Sequence, residues 1–314
     1  MATPSPGEAA PHASPGEAAA RVGAPTLEEP PTKMPRCQRG MPSFDPSAVA
    51  DSEGLERADP IVLATRKMLD GMVCDDREEL KARLLSMGVV PVASGCSGSN
   101  VATVCCELAC VHIGAGGVYD VYACEKDEAK QLFLMAVEKS LKATRREECA
   151  GEGTGMHVYA DVADLGGLNA KCVAHGGRCT VPDGNRGPLL EFWGFSCKNF
   201  SRMFNCENKG DLLMHILKEG KGSSGETFQS MLRSMREHPV FAAIIENTED
   251  LISEKHLQDL VDGFDSIGMV VATDKFSSVE FGVPQRRVRV FGVALNVAMC
   301  NLPKQQARAL ANRM

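Results

Sequence analysis

Among the 314 residues, one cysteine sits where a nucleophile could work. Cys197 lies in the run Gly194-Phe195-Ser196-Cys197-Lys198-Asn199-Phe200-Ser201, a turn of small and polar residues that follows the apolar stretch Leu189 to Trp193. An acidic counterpart, Glu246 in Ile245-Glu246-Asn247-Thr248, follows a second apolar stretch, Phe241 to Ile245. A thiolate and a carboxyl group at the ends of two strands are suited to covalent addition with proton management on the substrate. Glu125 and Asp161 likewise follow apolar runs, and two small-residue positions, Gly95 and Gly98, follow Val89 to Ala93. Glycines let backbone approach a ligand closely, and a carboxylate after the second strand accepts hydrogen bonds from ribose hydroxyls. That set is nucleoside-shaped. It lacks the third glycine of the dinucleotide fingerprint, so a nicotinamide or flavin dinucleotide is disfavoured.

The elements that must position these residues are legible from periodicity. Strands are expected at Val89 to Ala93, Val118 to Cys124, His157 to Ala160, Leu189 to Trp193, Phe241 to Ile245, Met269 to Thr273 and Arg287 to Ala294. Helices are expected at Val101 to Cys110, Ala129 to Ala143, near Phe228 to Glu237 and at Leu257 to Ile267. Strands and helices taking turns imply a mostly parallel sheet covered on both faces, an α/β fold whose ligands bind beyond the carboxyl ends of the strands. Gln285, Arg287 and Arg289, spaced by two, are expected on one side of the last strand. Residues 1–45, rich in Pro, Ala, Gly and Ser and repeating Ser-Pro-Gly-Glu-Ala-Ala, read as a disordered tail. Residues 46–88 form a helical lead-in and 89–314 the catalytic domain.

Composition narrows the setting. Thirteen cysteines without a C-x-x-C pair suggest reduced, mostly buried thiols, with neither a zinc ribbon nor a disulfide framework, so no metal is expected. No secretory, transit or membrane-spanning segment is present, which fits a nuclear or cytoplasmic chain; the residues fix no oligomeric state. A net charge of -7 argues against nonspecific coating of nucleic acid. Nucleic-acid contact would be local, through the basic strip Arg286-Arg287-Val288-Arg289.

In their order these motifs resemble the cytosine carbon-5 DNA methyltransferase family. Ala93-Ser94-Gly95-Cys96-Ser97-Gly98 is similar to the family's cofactor loop, Glu125 to its ribose carboxylate and Asp161-Val162 to its adenine-contacting pair. Gly194 to Ser201 resembles the nucleophile loop, Glu246-Asn247-Thr248 the Glu-Asn-Val motif, and Gln285-Arg286-Arg287-Val288-Arg289 the Gln-x-Arg-x-Arg signature. Ser97 stands where the family has Gly, and Ser196 where it has Pro.

The resemblance implies a Rossmann-like S-adenosyl-L-methionine-dependent methyltransferase fold. It implies cofactor contacts from Gly95, Cys96, Gly98, Glu125, Asp161 and Val162, and catalysis by Cys197, Glu246 and Arg289. Nucleic-acid contacts would come from Ser201, Gln285, Arg287 and Arg289 to a cytosine flipped out of DNA. Glu246 would need burial to favour its protonated form. About 19 residues follow Leu295, fewer than the family's target-recognition region and closing motifs occupy. The same residues would also serve an RNA cytosine methyltransferase, or a noncatalytic binder of cofactor or nucleic acid.

Overall fold

The computed structural model describes residues 82, 85–86, 88–113, 117–144, 155–199, 215–281 and 284–313. The tail at 1–45, nearly all of the lead-in at 46–88 and Ser201 lie outside the described residues. The strands are β1 (Val90–Gly95), β2 (Val118–Cys124), β3 (His157–Tyr159), β4 (Asn169–Cys172), β5 (Gly177–Thr180), β6 (Leu190–Trp193), β7 (Ala242–Asn247), β8 (Met269–Ser277) and β9 (Val288–Asn296). The helices are α1 (Val101–Ile113), α2 (Glu128–Thr144), α3 (Ile216–Glu219), α4 (Gly222–Glu237), α5 (Glu254–Asp265), α6 (Val297–Cys300) and α7 (Lys304–Ala311).

All nine strands form one sheet in the order β5-β4-β3-β2-β1-β6-β7-β9-β8. The neighbours from β3 to β7 are parallel, while β4 and β9 run against the strands beside them. The sheet is mostly parallel, and its order reverses between β1 and β6. In a Rossmann-like α/β fold that switch point opens a crevice at the strands' carboxyl ends.

Strands covered on both faces must be apolar almost throughout, and β2, Val-Tyr-Asp-Val-Tyr-Ala-Cys, buries all but Tyr119. Its Asp120 is tolerated because Asn100 Nδ2 and the Thr103 hydroxyl donate to its two oxygens at 3.0 and 2.9 Å. On one face, Phe228, Met231, Leu232 and Met235 of α4 recur with helical period and pack with Leu260 and Phe264 of α5 over Trp193, Ile245 and Val290. Cys110 of α1 packs on Val92, Val118 and Phe192, and Ala307 and Ala311 of α7 cover Ala242, Val270 and Leu295.

Element boundaries depart from the pattern-based reading where pairing outruns hydrophobicity. β7 extends through Asn247 because Glu246 and Asn247 pair with Phe291 and Val290 of β9, so Glu246 lies inside the strand. β9 begins at Val288. Gln285 and Arg287 therefore precede it, in an exposed turn in which the Arg287 N–H donates to the Gln285 carbonyl at 3.0 Å. The expectation that they share a strand face with Arg289 is corrected: only Arg289 is on the strand.

Below the switch point a carboxyl group is buried in the sheet. Glu191 is 1% exposed and accepts hydrogen bonds from the Tyr122 hydroxyl and, at 2.8 Å, from Trp193 Nε1. Burial raises its pKa above the ordinary 4.5, and the two hydrogen bonds oppose that rise. The folded chain therefore holds this proton where the unfolded chain has released it. The resulting stability is complete below 4.5 and is lost as pH rises through the folded value. Urea midpoints of wild type and Glu191→Gln, compared from about pH 4.5 to about pH 8, should show wild type losing stability relative to the glutamine variant as pH rises. A constant difference across that range would mean that Glu191 keeps an ordinary carboxylate titration.

Candidate active site

The loop after β1 is shaped by one close approach and one left-handed turn. A Cβ at Gly95 would fall 2.3 Å from the Trp193 ring, so only glycine lets β1 and β6 meet there. Gly98 adopts φ +57°, a conformation that costs glycine little, and its N–H donates to Glu125 Oε2 at 2.9 Å. Cys96 and Asn100 also hold positive φ, a strain that surrounding contacts must sustain. Ser97 is not in that region. Its N–H donates to the Cys124 carbonyl at 2.9 Å and its hydroxyl accepts from the Cys124 N–H at 3.0 Å, so this serine pins the loop to β2.

Glu125 and Asp161 converge beside that loop. Glu125 Oε1 accepts from the N–H groups of Lys126 and Asp127 at 2.9 and 3.0 Å, which fixes the carboxylate. Asp161 caps the 3-10 turn Val162–Asp164 through the Ala163 N–H at 3.0 Å and faces Lys126 Nζ at 3.3 Å. Val162 packs against the main core. Both carboxylates act on Cys96: burial, then Glu125, then Asp161 push its thiol up to about 12. Cys96 thus stays a protonated thiol at neutral pH and is no rival nucleophile.

The loop that carries Cys197 is anchored at both ends. The Gly194 N–H donates to the Gly95 carbonyl at 3.3 Å. Buried Asn247 donates from Nδ2 to the Phe195 carbonyl at 3.0 Å and accepts the Thr248 N–H at 2.9 Å. The start of α4 holds the other side. The Ser196 N–H donates to Thr227 Oγ1 at 3.1 Å, and the Ser196 and Ser223 hydroxyls bond at 3.0 Å. Asn199 and Ser224 exchange two more hydrogen bonds, at 3.1 and 3.0 Å. A proline at 196 would have no N–H to give Thr227, so serine fits this position through its hydrogen bonds. Cys197 itself is partly buried.

Glu246 and Arg289 face this loop as a pair, with Arg289 Nε 2.8 Å from Glu246 Oε1. A Cβ on Gly194 would lie 3.8 Å from Glu246 Oε2 and 3.6 Å from the Cys96 carbonyl oxygen. The cofactor-type loop, the cysteine loop and the acidic strand end therefore meet around Gly194. The burial expected for Glu246 is not found: its side chain is 38% exposed because β7 ends at the mouth of the crevice, and it pairs with a cation.

The structure thus gathers Gly95, Cys96, Gly98, Glu125, Asp161 and Val162 on one side, and Glu246 and Arg289 beside the Cys197 loop on the other. Gln285 and Arg287 stay on the exposed turn before β9, and Ser201 lies outside the described residues. Sequence reasoning passed over His157, Cys172, His175 and Cys179, whose ligand atoms lie within 4.8 Å of one another. Their signal, C-x-x-H followed by H-x-x-x-C, escapes a search for C-x-x-C.

Strand order and the crevice at the strands' carboxyl ends define a Rossmann-like α/β fold. Residues 194–311, from the cysteine loop to the last helix, match the family model C-5 cytosine-specific DNA methylase. No curated protein sequence matches the chain. Similar solved structures include the Dnmt2 methyltransferase of S. pombe, with 16% identity, TM-score 0.40, and 66% of this chain and 50% of that one covered. A methyltransferase of Entamoeba histolytica shares 10% identity, TM-score 0.41, with 66% and 53% covered. An rRNA methylase from Streptococcus thermophilus shares 10% identity, TM-score 0.37, with 69% and 95% covered. The chain spans about half the length of the first two.

Asn247 should prove structural for the loop. Asn247→Ala leaves the Phe195 carbonyl and the Thr248 N–H without this partner at a buried site, a loss of roughly 1–3 kcal/mol readable from denaturant unfolding. Wild-type stability in the variant would show that the Cys197 loop does not depend on this anchor.

Proposed function

We propose that this protein transfers a methyl group from S-adenosyl-L-methionine to carbon 5 of cytosine in DNA through a covalent adduct with Cys197. The observation that carries the reading is the meeting at Gly194 of the Cys96 loop and the Glu246–Arg289 pair, with Cys197 three residues further along the same loop. The match of residues 194–311 to the C-5 cytosine-specific DNA methylase model supports it.

The residues beside β1 suit the methyl donor. Glu125 Oε2 and the two oxygens of Asp161 retain acceptor capacity beyond their backbone bonds, which fits a donor-rich ribose and an adenine amino group. A Cβ at Gly98 would meet nothing within 4 Å, so the loop is open on that side. Bound there, S-adenosyl-L-methionine supplies an electrophilic methyl group.

Carbon 5 of cytosine is a poor nucleophile until a bond forms at carbon 6. Cys197 Sγ, as thiolate, makes that bond and shifts electron density to carbon 5. In this reading Glu246 holds ring nitrogen 3 and the exocyclic amine, and its partner Arg289 holds the ring carbonyl oxygen. A base that fills the crevice would desolvate this pair and supply the apolar surroundings that the open mouth lacks. After methyl transfer, the carbon-5 proton leaves to solvent and the Sγ–carbon 6 bond breaks, restoring the ring and the thiolate. The target base must leave the duplex to reach Cys197. On an acidic chain, the exposed Arg286 and Arg287 offer local contact with phosphate.

Two experiments test the reading. Fluorine at carbon 5 blocks loss of the substituent there, so 5-fluorocytosine DNA with S-adenosyl-L-methionine should leave a denaturant-stable protein–DNA adduct in wild type and none in Cys197→Ala. Equal adduct in both would remove Cys197 from the chemistry. Trapping on tRNA and not on DNA would reassign the substrate. Separately, Glu125→Ala and Asp161→Ala should each weaken S-adenosyl-L-methionine binding by about tenfold or more in calorimetry, a change of roughly 1.4 kcal/mol. Unchanged affinity in folded variants would place the cofactor elsewhere.

A further inference from the structure

The β3–β4–β5 edge of the sheet holds a second group of chemically capable side chains. Tyr159 of β3 pairs with Cys172 of β4, and Cys172 pairs with Gly177 of β5. Directly paired residues share a face, as do residues two apart on one strand. That register puts His157, Cys172 and Cys179 on the same side of the sheet. His175, in the turn between β4 and β5, folds over them. Cys172 Sγ lies 3.8 Å from His157 Nδ1 and 3.3 Å from His175 Nδ1, and Cys179 Sγ lies 3.5 Å from His175 Nδ1.

These three separations match S–N edges of a coordination tetrahedron, and all four ligand atoms lie within 4.8 Å of one another. Zinc bonds of about 2.3 Å to sulfur and about 2.0–2.1 Å to nitrogen place adjacent S and N ligands about 3.6 Å apart. Two soft thiolates and two imidazoles select zinc among the common divalent ions.

We propose that His157, Cys172, His175 and Cys179 bind one zinc ion that clamps the β4–β5 hairpin to β3. Four protein ligands fill the coordination sphere and leave no position for a reacting water, so the role is structural. The two thiols release their protons on binding, giving a dithiolate, bis-imidazole zinc centre. The hairpin needs such a clamp. β5 is a four-residue edge strand with no buried residue, and β4 buries only Ala170 and Cys172. Between β3 and this hairpin runs the segment with Asp161 and its 3-10 turn, held by the bond from the Ala160 N–H to the Lys171 carbonyl at 3.0 Å. The ion would thus stiffen the Asp161 side of the active-site crevice from outside it.

The full chain, purified under reducing conditions without added chelator, should carry about one zinc per molecule by elemental analysis. After exchange with cobalt(II) alone, it should show the visible bands of tetrahedral cobalt and a thiolate-to-cobalt charge-transfer band. Cys179→Ser and His175→Ala replace side chains that are not fully buried; both should lose most of the zinc and the wild-type cobalt spectrum, while Cys300→Ser keeps both. A zinc chelator should lower the Tm of wild type and not that of Cys179→Ser. A folded wild type that carries no zinc and gives no thiolate–cobalt band overturns the proposal. So does a Cys172–Cys179 disulfide found by mass spectrometry under the same reducing conditions. Wild-type metal content in both ligand variants does the same.

Discussion

The packing of the Trp193 ring against Gly95 governs how the crevice is built. With the ring 2.3 Å from where a Cβ would be, β1 and β6 meet only because Gly95 has no side chain. Trp193 is in turn held by its indole N–H on Glu191. From this joint the chain turns into Gly194, whose N–H returns to the Gly95 carbonyl. The loops that leave the two strands are thus fixed relative to each other before either meets a ligand. A shift at the joint would move the Cys96 loop away from the Cys197 loop, which is why a bulky aromatic and a glycine belong together here.

Around the joint, polar groups fasten the two loops. Ser97 uses its side chain to fasten the loop to the end of β2. Ser196 offers Thr227 an N–H that a proline would lack. In both places a directional hydrogen bond does the work of a conformational restriction, and both bonds are sheltered enough from water to hold. The Glu-Asn-Thr motif divides its labour in the same way. Asn247 points inward to hold the Phe195 carbonyl, and Glu246 points to the mouth of the crevice and pairs with Arg289.

The sheet is unevenly supported. From β1 to β9 it is covered by α4 and α5 on one face and by α1 and α7 on the other, where large apolar side chains supply the cohesion. The β4–β5 hairpin has little apolar surface to bury, and small units of that kind depend on crosslinks or metal. Three of the four clustered ligands lie on that hairpin, where buried apolar side chains are few. The two halves of the crevice are therefore supported unequally: the Cys197 side by packing and hydrogen bonds, and the Asp161 side by a hairpin that gives the main core only Ala170 and Cys172 as buried side chains.

Apolar strands alternating with amphipathic helices, and polar residues at the strand ends, are local patterns, so the sequence by itself determined the α/β class and placed Gly95, Glu125, Asp161, Cys197 and Glu246 at one end of the sheet. What depends on pairing between distant segments was decided by tertiary structure. Only the β7–β9 ladder carries Glu246 into its strand, and only the start of β9 leaves Gln285 and Arg287 outside it. β4 and β5 were passed over because short, mostly exposed strands carry too weak a periodic signal. The cluster of His157, Cys172, His175 and Cys179 was invisible for a related reason. Its members are scattered over three strands and a turn, and strand register, a non-local property, brings their ligand atoms together.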